Sequence, residues 1–175
     1  RHSRALRLWT RHRGGTEDVA LELSGTAFEE GGMIPAEHTC DGEDVSPPLA
    51  WAGVPEETVS LAVLMEDIDS VKGVWSHWVV YRIPGEMKAL VERIPPSKTL
   101  PVDGVQGRND FDAMGYGGPC PSDGKEHRYV VRLYALDEDV ELEPGATREA
   151  LLAEVEGHAI EQVELMGRYK RLEDR

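Results

Sequence analysis

The sequence predicts a mostly β protein, an antiparallel β-sandwich with short helices near its C-terminal end. Three strand-length apolar runs support this prediction, at residues 59–65, 78–83 and 129–136, and turn residues bound each of them. Between these runs the chain is rich in proline and glycine, which long helices do not accommodate. Strands followed by late helices, without strand–helix alternation, favour a sandwich over a parallel sheet.

The first and third runs carry different strand patterns. Residues 59–65 are apolar almost throughout, which predicts a strand covered on both faces. Residues 129–136 alternate at their centre, as expected of a strand whose side chains point to opposite faces in turn. One face of that strand is predicted to carry Val131, Leu133 and Ala135.

Helical patterns occur only after residue 146. Thr147 is a suitable N-cap for a helix whose apolar stripe contains Leu151, Leu152 and Val155. Gly157 is expected to interrupt it. A second helical segment, ending near Gly167, is then predicted from the spacing of Ile160, Val163 and Met166.

The length and the charge distribution suggest a leader followed by one domain. A chain of 175 residues can bury about two-thirds of its unfolded surface in a single core, so we expect one domain over residues 19–172. Residues 1–18 are interpreted as a basic leader, disordered or extraneous, because five arginines precede the first acidic residue, Glu17. No apolar run approaches the roughly 20 residues that a membrane span requires.

The net charge argues against nucleic acid as a partner. The chain carries a net charge of −14, and without the five leading arginines 14 basic and 33 acidic residues give −19. Such a body repels phosphate backbones and anionic lipid surfaces at long range. A local pocket for a small anion remains compatible with this charge.

The chain has two cysteines, Cys40 and Cys120. Two thiols are too few for a disulfide framework or for a complete zinc site. We therefore expect reduced thiols in a cytoplasmic protein, although a bridge would form if the two Cα atoms lay within about 7 Å.

Polar residues gather where the first strand ends and the second begins. Asp67 and Asp69 follow the first run at a spacing that places both side chains on one side of an extended chain. His77 lies near two tryptophans, a costly environment for a polar ring without a partner. We expect the carboxylates to hydrogen-bond His77 and to favour its protonated form. An acidic turn and a structural histidine are the alternatives.

Residues 107–121 form the most unusual passage, with four glycines and two prolines around three large apolar side chains. Glycines let a backbone approach a ligand closely, and successive N–H groups can form an anion-binding nest. The alternative is a packed structural loop, since glycine and proline mark turns first.

The sequence resembles the phosphatidylethanolamine-binding protein family, which includes the Raf kinase inhibitor proteins, and especially its short bacterial and archaeal branch. The resemblance covers about residues 21–171. It depends on motifs that occur in the family's order: Cys40-Asp41-Gly42 with Ser46-Pro47, Asp67-x-Asp69, Trp75-x-His77, residues 107–121, and His127-x-Tyr129.

The resemblance implies a compact pocket for phosphate-containing or other small anions, with a phosphoethanolamine headgroup as the reference ligand. It is also compatible with a homodimer. The ligand-binding residues predicted on this basis are Asp67, Asp69, Trp75, His77, Gly118, Pro119, Pro121, His127 and Tyr129. No metal or cofactor is expected there.

One part of the predicted site departs from the family pattern. The family usually has Asp-Pro-Asp-Ala-Pro where this chain has Asp67-Ile68-Asp69-Ser70-Val71. Proline fixes the backbone dihedral φ, so the loss of both prolines leaves the shape of this loop open.

The favoured function is a noncatalytic binding module that can regulate a partner enzyme, because no nucleophile is paired with a base at a recognisable spacing. A first alternative, which the resemblance implies for parts of the family, is a protease or kinase inhibitor acting through a protein surface. A second is a metal-dependent hydrolase, whose ligands would be Asp67, Asp69, His77 and His127.

Overall fold

Eight strands, one α-helix and one short 3-10 helix occur in the computed structural model, which describes residues 19–97 and 103–172. The leader predicted for residues 1–18 lies outside the described residues. The helices are the 3-10 helix Ala36–His38 and α1 (Arg148–Val155). The strands are β1 (Glu22–Gly25), β2 (Leu49–Ala52), β3 (Ser60–Asp67), β4 (Trp75–Pro84), β5 (Ala89–Leu90), β6 (Val105–Gln106), β7 (His127–Leu136) and β8 (Ala159–Tyr169).

The strands form two antiparallel sheets, in the orders β1-β2-β5 and β6-β4-β3-β7-β8. All eight residues of β3 are buried, as its apolar sequence predicts. One face of β3, with Val63 and Met65, joins a core that includes Trp51 from the smaller sheet. The other face, with Leu64, packs in a second core that includes Leu151 of α1. The predicted mostly β antiparallel sandwich is confirmed.

The two predicted helical segments have different outcomes. The first is confirmed as α1, and the Thr147 hydroxyl accepts a hydrogen bond from the Ala150 N–H at 3.3 Å, as an N-cap should. The second is wrong, because Ala159–Tyr169 forms β8 and pairs with β7 along its length. Its buried positions, which include Glu161, Leu165 and Tyr169, follow the two-residue period of a strand.

Cys40 and Cys120 form a disulfide, with their Cα atoms 5.5 Å apart. The expectation of reduced thiols is therefore wrong. The two residues are separated by 80 positions, so their proximity depends on the tertiary fold rather than on local sequence. The Cys40 N–H also donates to the carbonyl oxygen of Pro119 at 3.2 Å, so the two segments are joined by backbone as well as by sulfur.

Replacing both cysteines by serine should lower the free energy of unfolding by about 2–4 kcal/mol, because the disulfide restricts the unfolded chain by closing a long loop. Urea unfolding of the double variant and of the oxidised wild type measures this difference. Wild type under reducing conditions is the matched control and should resemble the variant. Equal stability of the variant and the oxidised wild type would contradict the expectation.

Candidate functional site

The ends of β3, β4 and β7 meet at one edge of the five-stranded sheet. The strand register places Asp67 opposite Trp75 on one side and opposite Tyr129 on the other. A cavity of about 160 Å³ lies at this edge. Five predicted ligand-binding residues line it: Asp67, Trp75, His77, Pro121 and His127.

His127 lies between two carboxylates. Its Nδ1 donates to Asp67 Oδ2 at 2.6 Å, and its Nε2 donates to Asp123 Oδ1 at 2.9 Å. Carboxylates at both ring nitrogens favour a proton on each of them. Burial lowers the pKa of His127, but the hydrogen bonds to Asp67 and Asp123 outweigh that effect and raise the pKa above its ordinary value. The fold therefore favours the protonated form of His127.

The second carboxylate oxygen of Asp67 accepts a hydrogen bond at the turn that follows β3. Oδ1 accepts the Asp69 N–H at 2.8 Å, and this turn carries Asp69 out of the strand. The Asp69 carboxylate then accepts hydrogen bonds from Arg128 Nε at 2.9 Å and Nη2 at 2.8 Å. The contacts with Arg128 lower the pKa of Asp69. Asp69 thus lies outside the cavity lining, because the predicted same-side placement assumed that the strand continued.

The loop that lacks the family's prolines is held by a backbone hydrogen bond. The Ile68 N–H donates to the carbonyl oxygen of Arg128 at 3.1 Å. A proline at this position has no N–H and could not make the bond. Together with the Asp69–Arg128 ion pair, this bond joins the loop after β3 to the start of β7.

His77 is buried, and burial lowers its pKa below the ordinary value. Its Nδ1 donates to the carbonyl oxygen of Gly117 at 2.6 Å, and the Gly117 N–H donates back to the His77 carbonyl oxygen at 2.9 Å. A carbonyl oxygen only accepts, so the neutral ring carries its proton on Nδ1 and Nε2 is its basic nitrogen. The prediction of a protonated His77 held by carboxylates is wrong, and His127 makes the carboxylate contacts instead.

Aromatic rings pack around His77. The Phe111 ring lies edge-to-face against Trp75, with centroids 5.6 Å apart, and against His77, with centroids 5.2 Å apart. Asn109 fixes this segment, because its Oδ1 accepts the Phe111 N–H at 2.9 Å and its Nδ2 donates to the Gly115 carbonyl oxygen at 2.9 Å. Phe111 lines the cavity and was missed as a site residue.

The glycine-rich segment is a packed loop rather than an anion-binding nest. The N–H groups of Gly115, Gly117 and Gly118 already donate to Gly107, His77 and Asp44, respectively. Gly118 and Pro119 lie behind the cavity wall and not in its lining. A side chain at position 118 would collide with the His38 carbonyl oxygen, so this close approach requires glycine.

Tyr129 is also behind the wall rather than in it. Its ring lies edge-to-face against His77 with a centroid distance of 5.2 Å, and its hydroxyl has no hydrogen-bond partner among the described residues. Burial and the nearby Asp67 carboxylate raise the pKa of Tyr129, so the phenol is neutral.

Two charged residues of the cavity, Lys72 and Asp123, were not predicted from the sequence. Lys72 Nζ lies 5.3 Å from the centroid of the Trp75 ring, a cation–π distance. Asp123 precedes His127 by four residues within a turn-rich stretch, and this pairing was the one local signal available. No sequence signal pointed to Lys72, because a lysine in an acidic chain is expected to be a solvated surface residue.

The geometry does not favour the predicted hydrolase metal site. Both ring nitrogens of His127 and one of His77 are engaged in hydrogen bonds, and Arg128 holds Asp69. A cation would have to displace several of these contacts before it could bind the four predicted ligands.

Fold and site together define an antiparallel β-sandwich with a small histidine–carboxylate cavity at one sheet edge. The model of the phosphatidylethanolamine-binding protein family matches residues 24–170. The chain belongs to this family. A UPF0098 protein of Methanothermobacter thermautotrophicus is 48% identical over 151 residues, which cover 86% of this chain and 99% of that protein.

Two solved structures have the same fold. A Chlamydia trachomatis homologue of phosphatidylethanolamine-binding protein superposes with a TM-score of 0.80 at 38% identity, over 87% of this chain and 99% of that one. Escherichia coli YbcL, described as a new member of the mammalian family, gives a TM-score of 0.81 at 30% identity, with the same coverage. In the described part of this chain, no helix has the length and apolarity needed to cross a bilayer.

The raised pKa of His127 predicts a pH-dependent contribution to stability. The unfolded pKa of histidine is about 6.5. The stabilisation from His127 should be complete below that pH and should be lost as pH rises through the higher folded pKa. Urea unfolding at pH 6 and pH 9 should therefore show a larger deficit for His127→Gln at pH 6. An equal deficit at both pH values would contradict the raised pKa of His127.

Proposed function

We propose that this chain is a noncatalytic binding protein whose cavity at the ends of β3, β4 and β7 takes a small phosphate-type headgroup, phosphoethanolamine being the best match. The observation that carries the proposal is the pairing of opposite charges around one small cavity. His127 and Lys72 supply positive charge, and Asp67 and Asp123 supply negative charge.

The size of the cavity supports a headgroup rather than a larger ligand. Sites for drug-sized molecules have volumes of about 300–1,000 Å³, whereas this cavity has about 160 Å³. A phosphate with a two-carbon amine is of that scale. Acyl chains of a lipid would have to remain outside.

The charge arrangement supports a zwitterion over a bare polyanion. Phosphate is expected at Lys72 and at the basic Nε2 of His77, which can accept a hydrogen bond from a protonated phosphate oxygen. The ammonium group is expected near Asp123, with the rings of Trp75 and Phe111 adding cation–π contact. Because two carboxylates line the same cavity, a multiply charged anion without an ammonium group would be repelled.

The candidate nucleophiles support a noncatalytic role. Cys120 lines the cavity, but its sulfur is in the disulfide with Cys40. Ser76 is fully buried, and its hydroxyl has no hydrogen-bond partner among the described residues, hence no base in contact. Neither side chain has the activated geometry of covalent catalysis.

Isothermal titration with three probes tests the ligand class. Phosphoethanolamine should bind more tightly than inorganic phosphate or ethanolamine, because it engages both signs of charge at once. Chemical-shift changes should map to the amides of residues 70–72, 111, 120, 122 and 123. If none of the three probes perturbs these amides, the proposed binding function is wrong. If phosphate alone binds as tightly as phosphoethanolamine, the zwitterion preference is wrong.

Lys72→Met should weaken phosphoethanolamine binding at least fivefold, since a charge contact at a partly exposed site contributes on the order of 1 kcal/mol. Lys88→Met is the matched control, because Lys88 is exposed and lies outside the cavity lining. The affinity of the control should equal that of the wild type. Equal losses in both variants would show a general charge effect rather than a contact with Lys72.

A further inference from the structure

A second group of polar side chains lies away from the cavity, where the 3-10 helix approaches the segment after β5. It contains Glu37, His38 and Glu92, whose potential ligand atoms all lie within 4.8 Å of one another. The two glutamates are exposed, with side-chain exposures of 48% and 38%, whereas the His38 side chain is 1% exposed. The group therefore combines a buried imidazole with two solvent-accessible carboxylates.

In the tautomer that its hydrogen bond selects, His38 carries a lone pair on Nε2, the ring nitrogen nearest to these carboxylates. Nδ1 lies 2.8 Å from the carbonyl oxygen of Val45, which can only accept, so Nδ1 carries a proton. Nε2 is buried and has no hydrogen-bond partner among the described residues. A buried polar atom without a partner is costly, so its environment is incomplete without a further group.

A second proton on His38 would not complete this environment. Nε2 lies 3.6 Å from Glu37 Oε1 and 3.8 Å from Glu92 Oε1. Both distances are longer than an N–H···O hydrogen bond, whose donor–acceptor distance is roughly 2.7–3.2 Å. They are close to the separation of about 3.4 Å between neighbouring ligand atoms around a tetrahedral zinc ion with bonds of about 2.1 Å. The spacing leaves room for an ion between the three atoms.

We infer that Glu37, His38 and Glu92 form a binding site for a divalent transition-metal cation of the zinc type. One imidazole nitrogen and two carboxylate oxygens are a ligand set that such ions accept, and solvent would complete the coordination. Calcium and magnesium prefer ligand sets made of oxygen alone. A metal-binding histidine usually donates its other ring N–H to a carbonyl or carboxylate, which fixes its tautomer. The Val45 carbonyl oxygen accepts such a hydrogen bond from His38 Nδ1.

The neighbouring charges are compatible with a cation at this site. Arg93 follows Glu92, and its guanidinium is paired with Glu43. That ion pair, together with the charges of Glu92 and Glu37, raises the pKa of Arg93. Since Arg93 is engaged by Glu43, the two cluster carboxylates remain available to an ion that approaches from solvent.

The site is connected to the wall of the cavity. The carbonyl oxygen of His38 accepts a hydrogen bond from the Tyr116 hydroxyl at 2.6 Å, and Cys40 forms the disulfide with Cys120 two residues further along. A metal ion here would join the 3-10 helix to the segment after β5 on the outer side of that wall. This role does not depend on whether the cavity binds a headgroup.

Zinc titration of the chelator-treated full chain, in competition with a chromophoric chelator, tests the inference. One zinc ion per chain should bind, and amide shifts should change around residues 37–39, 45 and 92. Glu37→Gln and Glu92→Gln should each weaken binding at least tenfold. Both side chains are exposed, so these variants should keep the fold, and His38 itself is left intact.

The matched control is Glu138→Gln, in the cluster of Asp137, Glu138 and His158, which also combines one histidine with two carboxylates. There the histidine is partly accessible, its Nδ1 is hydrogen-bonded to Asp137 Oδ1 at 3.1 Å, and its Nε2 lies 3.3 Å from Glu138 Oε1. This variant should bind zinc as the wild type does. The inference is overturned if zinc does not bind, if the shifts map to His158, or if Glu37→Gln and Glu92→Gln bind unchanged. It is also overturned if equimolar calcium displaces the zinc.

Discussion

The site depends on the need to pair one buried carboxylate, Asp67. It ends the fully buried strand β3 with only 4% of its surface exposed, and an isolated charge there would be strongly unfavourable. One oxygen is satisfied by the His127 ring and the other by the Asp69 N–H, which turns the chain away from the sheet. The raised pKa of His127 and the path of the next loop both follow from this pairing.

The segment behind the cavity is tied by hydrogen bonds and a disulfide to separate parts of the fold. Two hydrogen bonds join Gly117 to His77, and Gly118 donates to Asp44. The Cys40–Cys120 disulfide then fixes the end of the same segment to the residues that follow the 3-10 helix. Since these backbone N–H groups are already bonded, the polar groups that line the cavity come from side chains, which include Lys72 and Asp123.

The strands and the buried end of β3 were predictable because apolar runs and strand ends are local features of the sequence. The helix predicted around Ile160 and Val163 failed because pairing with β7 imposes the two-residue period of a strand, which buries Glu161, Leu165 and Tyr169 instead. The disulfide depends on how two distant segments meet in the fold. The resemblance to the family supplied His127 as a site residue, but the choice of which histidine contacts the carboxylates required the actual hydrogen bonds.

The loop after Asp67 shows how the family's site can be kept without its usual prolines. A proline at a compatible position stabilises the folded protein by about 0.4–1 kcal/mol, mainly by restricting the unfolded chain. A backbone hydrogen bond contributes about 0.5–1.5 kcal/mol net. The bond from the Ile68 N–H to the Arg128 carbonyl oxygen can therefore replace what proline contributes at that position, and the Asp69–Arg128 ion pair adds a second attachment. Arg128 holds Asp69, so Asp67 is the one of the two motif aspartates that lines the cavity.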